Sequence, residues 1–242
     1  MNAKKMIPIM LMISACLFLI GCGATGKAMK KHHGNATARR IARAYGFQQF
    51  ERIEAIRFTF NAVVNGKKVQ RAWVWEPKTD RVTYKGAETD NKAAHVTYSR
   101  KDRNFDAKID QWFINDQYWL LFPFHLEWDD GITVISDDQR PLPIQPGMAN
   151  RITVSYPEKT GYTPGDVYEL YYTPRYTIKQ WVYHRGGSEQ PTRTATWEHH
   201  AKVGPILISL MHKGADDRFR IWFSDVAVRL TGDDIWLPPL IF

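Results

Sequence analysis

Cysteine is almost absent: the 242 residues hold two, Cys16 and Cys22, and both stand near the N-terminus. Beyond residue 22 the chain therefore has no disulfide, no thiol nucleophile and no thiolate metal site, so its stability must come from apolar burial and sheet pairing. Other chemistries are equally thin. None of Ser136, Ser155, Ser188, Ser209 and Ser224 lies in a G-x-S-x-G context, the strand-to-helix elbow that exposes a serine nucleophile. Glu198-His199-His200, with His184 and His212, offers imidazoles. Consecutive residues of a regular strand point to opposite faces, however, and no paired zinc spacing is present. The run Asp102-x-Asn104-x-Asp106 opens like a calcium loop, but Ala107 stands where the sharp turn needs glycine and Phe113 where a bidentate glutamate should close the site. No repeat of solenoid length is present. We expect no catalytic residue, metal or cofactor. One enzymatic rival stays open, a hydrolase of envelope material, because paired carboxylates need only meet in space. Its candidates, Asp129, Asp130, Asp137 and Asp138, flank turn positions where solvated acids are the ordinary finding.

What the chain does carry begins at its N-terminus. Lys4 and Lys5 form a charged start, Ile7 to Ile20 an apolar run, and Leu19-Ile20-Gly21-Cys22 a lipobox. This reads as a signal peptide over residues 1–21, followed by lipidation at Cys22. Each buried CH₂ contributes about 0.8 kcal/mol, so two or three acyl chains give lasting membrane attachment where one would not. Loss of Lys4 and Lys5 with the leader lowers the formal charge from +8 to +6. The basic runs that remain, Lys30 to His33 and Arg39 to Arg43, suit anionic headgroups. An exported chain has no use for nucleic acid, and none is expected as a partner. Residues 22–35 are small, polar and basic and form a tether; residues 36–242 are expected to fold as a single domain, a monomer.

The body reads as strand-rich. Asn35 is placed to cap, and Gly46 to stop, a short helix whose stripe is Ile41, Ala42 and Tyr45. From Ile56 to Val64 apolar and polar residues alternate, the period of a half-buried strand. Asn65-Gly66 then signals a tight hairpin into Val69 to Glu76. Further strands are expected at Val82 to Tyr84, His95 to Ser99, Arg151 to Tyr156, Asp166 to Tyr172, Ile178 to Tyr183, Thr192 to Glu198, Ile206 to Met211 and Arg218 to Leu230. In the last, Trp222, Ser224, Val226, Val228 and Leu230 are expected to share a face. Asp106 to Phe122 has helical spacing and should form one helix, or two short ones, ending before Pro123, as a lid or plug on the concave side of the sheet. Gln139 to Met148, with three prolines, reads as an extended loop.

All nine tryptophans lie in the body. Two readings stand for this ring content: a core filled by large side chains, or a curved sheet and an amphipathic helix enclosing a cavity for apolar ligands. The phrases Arg71-Ala72-Trp73-Val74-Trp75-Glu76-Pro77-Lys78-Thr79-Asp80, Asn115 to Phe124, Gly161 to Asp166 and Phe219 to Val226, behind a lipobox, resemble the LolA/LolB-like outer-membrane lipoprotein-sorting superfamily. Within that group the chain is most similar to its uncharacterised lipoprotein branch. The likeness covers roughly residues 36 to 230 and implies a mainly β (α+β) fold, a curved antiparallel half-barrel with an N-terminal helix and a helical lid or plug. It further implies an interior that binds acyl chains such as palmitate, and a protruding loop with an exposed leucine that meets the membrane, for which Leu142 and Ile144 are the candidates. Gly23 after the lipidated cysteine resembles the sorting signal for the outer membrane, facing the periplasm. The expected ligand lining is Phe58, Phe60, Trp73, Trp75, Trp112, Trp119 and Phe122. The non-enzymatic rival is an envelope binding or regulatory module with a filled core and a protein partner.

Overall fold

The computed structural model describes residues 35–86, 95–102, 105–216 and 218–240. The leader and most of the tether, with Cys22, lie outside those residues, as does Asn104 of the aspartate run. Helix α1 (Ala36–Ala44) begins where expected, because the Asn35 Oδ1 accepts the Thr37 N–H at 2.8 Å and satisfies one of the helix's orphan donors. The same side chain donates through Nδ2 to the Val134 carbonyl at 3.1 Å. At Gly46 the chain turns with φ +90°, and a Cβ there would stand 2.6 Å from the Pro205 carbonyl oxygen. A 3₁₀ turn, Phe47–Arg52, follows and buries Phe50.

Strands β1 (Ile53–Val64), β2 (Lys67–Glu76), β3 (Arg81–Lys85) and β4 (His95–Ser99) form the expected meander. Asn65 and Gly66 both take positive φ, 49° and 79°, the conformation that a tight primed turn requires. Helix α2 (Ala107–Trp128) comes next, capped by Asp106, whose Oδ1 accepts the Lys108 and Ile109 N–H groups. Asp106 is thus a helix cap, and among the described residues no group of three His, Cys, Asp or Glu is placed to hold a metal. The helix does not stop before Pro123 but runs to Trp128, broken at Leu121 (φ −123°, ψ 20°). Proline has no N–H to give the Trp119 carbonyl, so the ladder fails there; the restart puts Pro123 in a first turn, where no donor is needed.

The second sheet follows in sequence order: β5 (Thr133–Pro141), β6 (Met148–Ser155), β7 (Val167–Tyr172), β8 (Ile178–His184) and β9 (Arg193–Thr196). Strand β5 was not anticipated, and the proline-rich loop shrinks to the hairpin tip between Pro141 and Met148, because prolines are tolerated at a sheet's outer edge. The expected Thr192 to Glu198 strand divides at Trp197. There the chain leaves one sheet and enters the other as β10 (Glu198–Val203). Strands β11 (Ile206–Lys213), β12 (Phe219–Leu230), β13 (Trp236–Leu237) and β14 (Pro239–Leu240) complete the first sheet. Its order is β14-β10-β11-β12-β1-β2-β3-β4, with β13 beside β12.

The face assignment along β12 needs correction. Asp225 takes φ +52°, and the register slips so that Arg57 pairs with Ala227 but Thr59 with Ser224. This bulge reverses the phase. Phe219, Ile221 and Phe223 are buried before it and Val226 and Val228 after it, so Trp222 does not share the inward face of Val226. The result is a mainly antiparallel β fold of two sheets, not closed into a barrel, around a central helix. Helix α2 is apolar on both sides and buried accordingly. Phe113 meets Trp73 and Trp75 of the first sheet at 5.5 and 5.9 Å, and Phe122 meets Tyr168 and Trp181 of the second at 4.7 and 5.5 Å between ring centroids. It is a plug rather than a cover. No helix among the described residues is long and apolar enough to cross a membrane.

Candidate functional site

One side of α2 does not fill the space between the sheets. A cavity of about 470 Å³ lies there, walled by the ends of β1, β2 and β12, by the first half of α2, and by β7, β8 and β9. That volume falls in the range of small-molecule sites, roughly 300–1,000 Å³. Its floor is apolar: Phe60, Trp119, Tyr168, Trp181, Phe219 and Ile221 all line it and are buried. Trp119 is edge-on to Trp181 at 4.4 Å and lies 5.7 Å from Phe219. Its rim is polar, where the exposed residues Gln111, Tyr162, Arg185 and Thr192 meet solvent.

The wall is held by buried ion pairs. Arg71 and Trp73 are two apart on β2 and so share a face. Both reach Asp116 of α2, which is 0% exposed: Arg71 donates from Nε at 2.7 Å and from Nη2 at 2.5 Å, and Trp73 Nε1 donates at 2.9 Å. Asn115 Nδ2 adds a fourth bond at 3.0 Å. Burial pushes the Asp116 carboxyl up, while Arg71, Asn115 and Trp73 pull it back. The Arg71 guanidinium is also sandwiched between the Phe60 and Trp112 rings, at 5.0 and 5.6 Å. Nearly two turns earlier, Asp110 accepts from Arg100 Nε at 2.8 Å and from the Tyr98 hydroxyl at 3.0 Å. Helix α2 is therefore fastened to the first sheet by two carboxylates.

Beneath Trp119 sits His212, its ring 5.3 Å from Trp119 and 4.5 Å from Trp197. Its Nδ1 donates to the Thr196 carbonyl at 3.1 Å, and burial pushes its pKa down to about 3, so the ring is neutral. His200 lies apart from it, bonded to the Tyr45 hydroxyl at 2.9 Å.

Of the residues expected to line a ligand site, Phe60 and Trp119 face the cavity. The others are placed elsewhere. Phe58 packs edge-on against Phe223 at 6.0 Å. Trp73 is occupied by Asp116 and Tyr84, and Trp75 by Phe113, Phe50 and Trp128. Phe122 is fully enclosed behind the cavity floor, and Trp112 lies half-buried beside Arg71, Lys108 and Tyr84. Leu142 is not exposed: at 8% it closes a small second cluster with Ala149, Tyr171 and Val182. The hairpin tip folds it inward through a bond from its N–H to the Gly147 carbonyl. Ile144 is half-buried, and its N–H donates to Gln180 Oε1. The outward apolar residues of that hairpin are Ile135 and Met148.

The four acids of the hydrolase rival are not brought to the cavity. Asp129 accepts from the Tyr118 and Tyr156 hydroxyls at 2.7 and 2.8 Å and from His125 Nδ1 at 2.9 Å. Burial works to raise its carboxyl, yet His125 and the two tyrosines hold it below the usual carboxylate range. Asp137 pairs with Arg151 on the second sheet. Sequence reasoning missed Tyr168, Trp181, Arg193 and the Arg71–Asp116 pair; the available signal was a lone acid, Asp116, inside the apolar stretch of α2.

No known protein-family profile and no curated protein sequence matches the chain. Among solved structures it is similar to a DUF1329 family protein from Desulfovibrio piger, at 10% identity over 81% of this chain and 92% of that one, with a TM-score of 0.43. It is also similar to a LolA superfamily protein from Nitrosomonas europaea, at 8% identity over 84% of this chain and 99% of that one, TM-score 0.49. A domain from Vibrio parahaemolyticus described as outer-membrane lipoprotein-sorting matches at 8% identity over 83% of this chain and 94% of that one, TM-score 0.49.

Proposed function

We propose that the chain is an envelope lipoprotein, held to a membrane through acyl chains on Cys22, that binds the hydrocarbon tail of a lipid or acylated molecule beside α2. Its place is the outer membrane, facing the periplasm, and its role belongs to lipid or lipoprotein trafficking. The observation that carries this reading is the cavity of about 470 Å³ with a floor of Phe60, Trp119, Trp181 and Ile221. Water shares about 30 Å³ per molecule in the liquid, and a methylene is of similar size, so the space suits one tail of about 15 such groups. Transfer of that tail from water supplies the driving force, about 0.8 kcal/mol per CH₂ buried. Because Asp110 and Asp116 fasten α2 to the first sheet, the tail enters past the polar rim while the helix stays seated.

The test is mass spectrometry under native conditions on gently extracted protein, followed by titration with a sixteen-carbon amphiphile. Co-purified or saturable lipid supports the reading; a preparation empty in both experiments overturns it. In that event the rival module with a filled core gains, favoured by the solid packing of Phe58, Trp75 and Phe122.

A further inference from the structure

The cavity's charges are not evenly matched. Arg71 is neutralised by Asp116, and Asp110 by Arg100. Asp166 accepts from the Tyr183 hydroxyl at 3.0 Å and from the Gly186 N–H at 2.8 Å. Arg193 is different. Its guanidinium lies 4.3 Å above the Phe219 ring, half-buried on the cavity wall, and among the described residues no carboxylate forms an ion pair with it. A half-buried cation against an aromatic face has lost part of its hydration, and its fork of donors matches a carboxylate or phosphate.

Its position relative to the floor gives a direction. On the β8–β9 ladder Arg193 pairs with Tyr183, and Ala195 with Trp181. Residues two apart on a strand share a face, and that spacing is roughly 7 Å. The Arg193 backbone therefore stands one such step along the ladder from the Trp181 pair, toward the rim where Arg185 is exposed, and its cation lies over Phe219, whose ring is 5.7 Å from Trp119. A molecule with a negative head at Arg193 lays its tail directly along Trp181 and Trp119.

Resting on the function proposed above, we infer that the ligand is a single-tailed amphiphile with an anionic head, a carboxylate or phosphate monoester, and that Arg193 selects it over neutral lipids. The experiment uses the whole chain carrying Cys22→Ser, so that no covalent acyl group competes. Palmitate, palmitoyl lysophosphatidic acid and neutral monopalmitoyl glycerol are titrated by displacement of a fluorescent fatty acid, at low and high salt. Both anionic ligands are expected to bind at least tenfold tighter than the glycerol ester at low salt. The gap narrows at high salt, as it must when part of the attraction is electrostatic. Arg193→Gln is expected to remove the preference while leaving the neutral ligand's affinity within twofold, and Arg193→Lys to restore part of it. Inorganic phosphate at millimolar concentration should not displace the probe, which separates an amphiphile's head from free phosphate. Equal binding of neutral and anionic ligands overturns the inference and leaves the hydrophobic site standing, as does an anionic preference that survives Arg193→Gln. Failure of all three ligands to bind removes the proposed function itself.

Discussion

The two halves of α2 solve the same problem in opposite ways. From Leu120 to Trp128 the helix is surrounded by rings: Phe124 lies 5.2 Å from Phe50 and 5.4 Å from Trp128, and Phe122 is enclosed by Tyr168 and Trp181. From Asp110 to Trp119 one flank faces a hollow, and position is kept by carboxylates clamped to Arg71 and Arg100. Packing alone holds an element only where neighbours press from every side. Beside a cavity they do not, and directional ion pairs take over the positioning.

The sharpest way to break this contrast is to truncate each half. Phe124→Ala should lower unfolding stability by about 3–5 kcal/mol, the usual result of opening a void in a ring-filled core. Asp116→Ala should cost a similar amount, about 3–5 kcal/mol, because it strands the Arg71 charge. Chemical denaturation measures both. The two losses differ in origin, however: joint Arg71→Met and Asp116→Leu should recover most of the second, since a well-packed apolar pair does without the desolvation of two charges. Recovery in the double variant of less than half would show that the pair does more than position the helix.

Next in size is an acid sensitivity at the boundary of the halves, where His212 supports Trp119. Its folded pKa is about 3 against an ordinary 6.5. Above pH 6.5 the ring is neutral in both states and its contribution is complete. Below that only the unfolded chain takes the proton, so stability should fall by about 1.4 kcal/mol per pH unit toward pH 3. His212→Gln should flatten the slope between pH 6 and 4, a window above the one in which Asp129, with its lowered carboxyl, loses its own contribution. The smallest effect belongs to the cavity wall: Ile114→Ala, half-buried beside existing empty space, should cost about 1 kcal/mol or less, well below a Leu or Ile truncation in a sealed core. Ligand affinity should change more than stability there, and equal denaturation midpoints with a weakened titration would sharpen the distinction.

Much of the scaffold was legible because it depends on local rules. Asn35 capping α1, the Asn65-Gly66 hairpin and the extent of β1 follow from backbone preferences and period, and each stands close to where it is expected. Strand β1 is not half-buried, however: Thr59 and Asn61 on its polar face are buried as well. What escaped was set by neighbours far away in sequence. The bulge at Asp225 reverses the face of half a strand through one residue's backbone angle, and Trp197 divides a strand because two sheets meet there. Phe60 and Trp119 were legible as cavity candidates from the large rings on a strand and on the helix beside it. The split between them and Trp73 or Phe58 was not, because an aromatic ring reads the same whether it borders a space or fills one. Arg193 gave no signal at all, since its distinction is the counter-ion it lacks.

The pairing of β1 with β12 governs the order in which this molecule can assemble. Val64 meets Phe219 and Ile53 meets Leu230, so the first strand waits for a neighbour that the chain supplies only after β2 to β11. Such distant closure slows folding and keeps the nascent form open and vulnerable to aggregation. The delay is written into the order of the strands: the first sheet stays in two parts until β12 arrives to join β1 to β11.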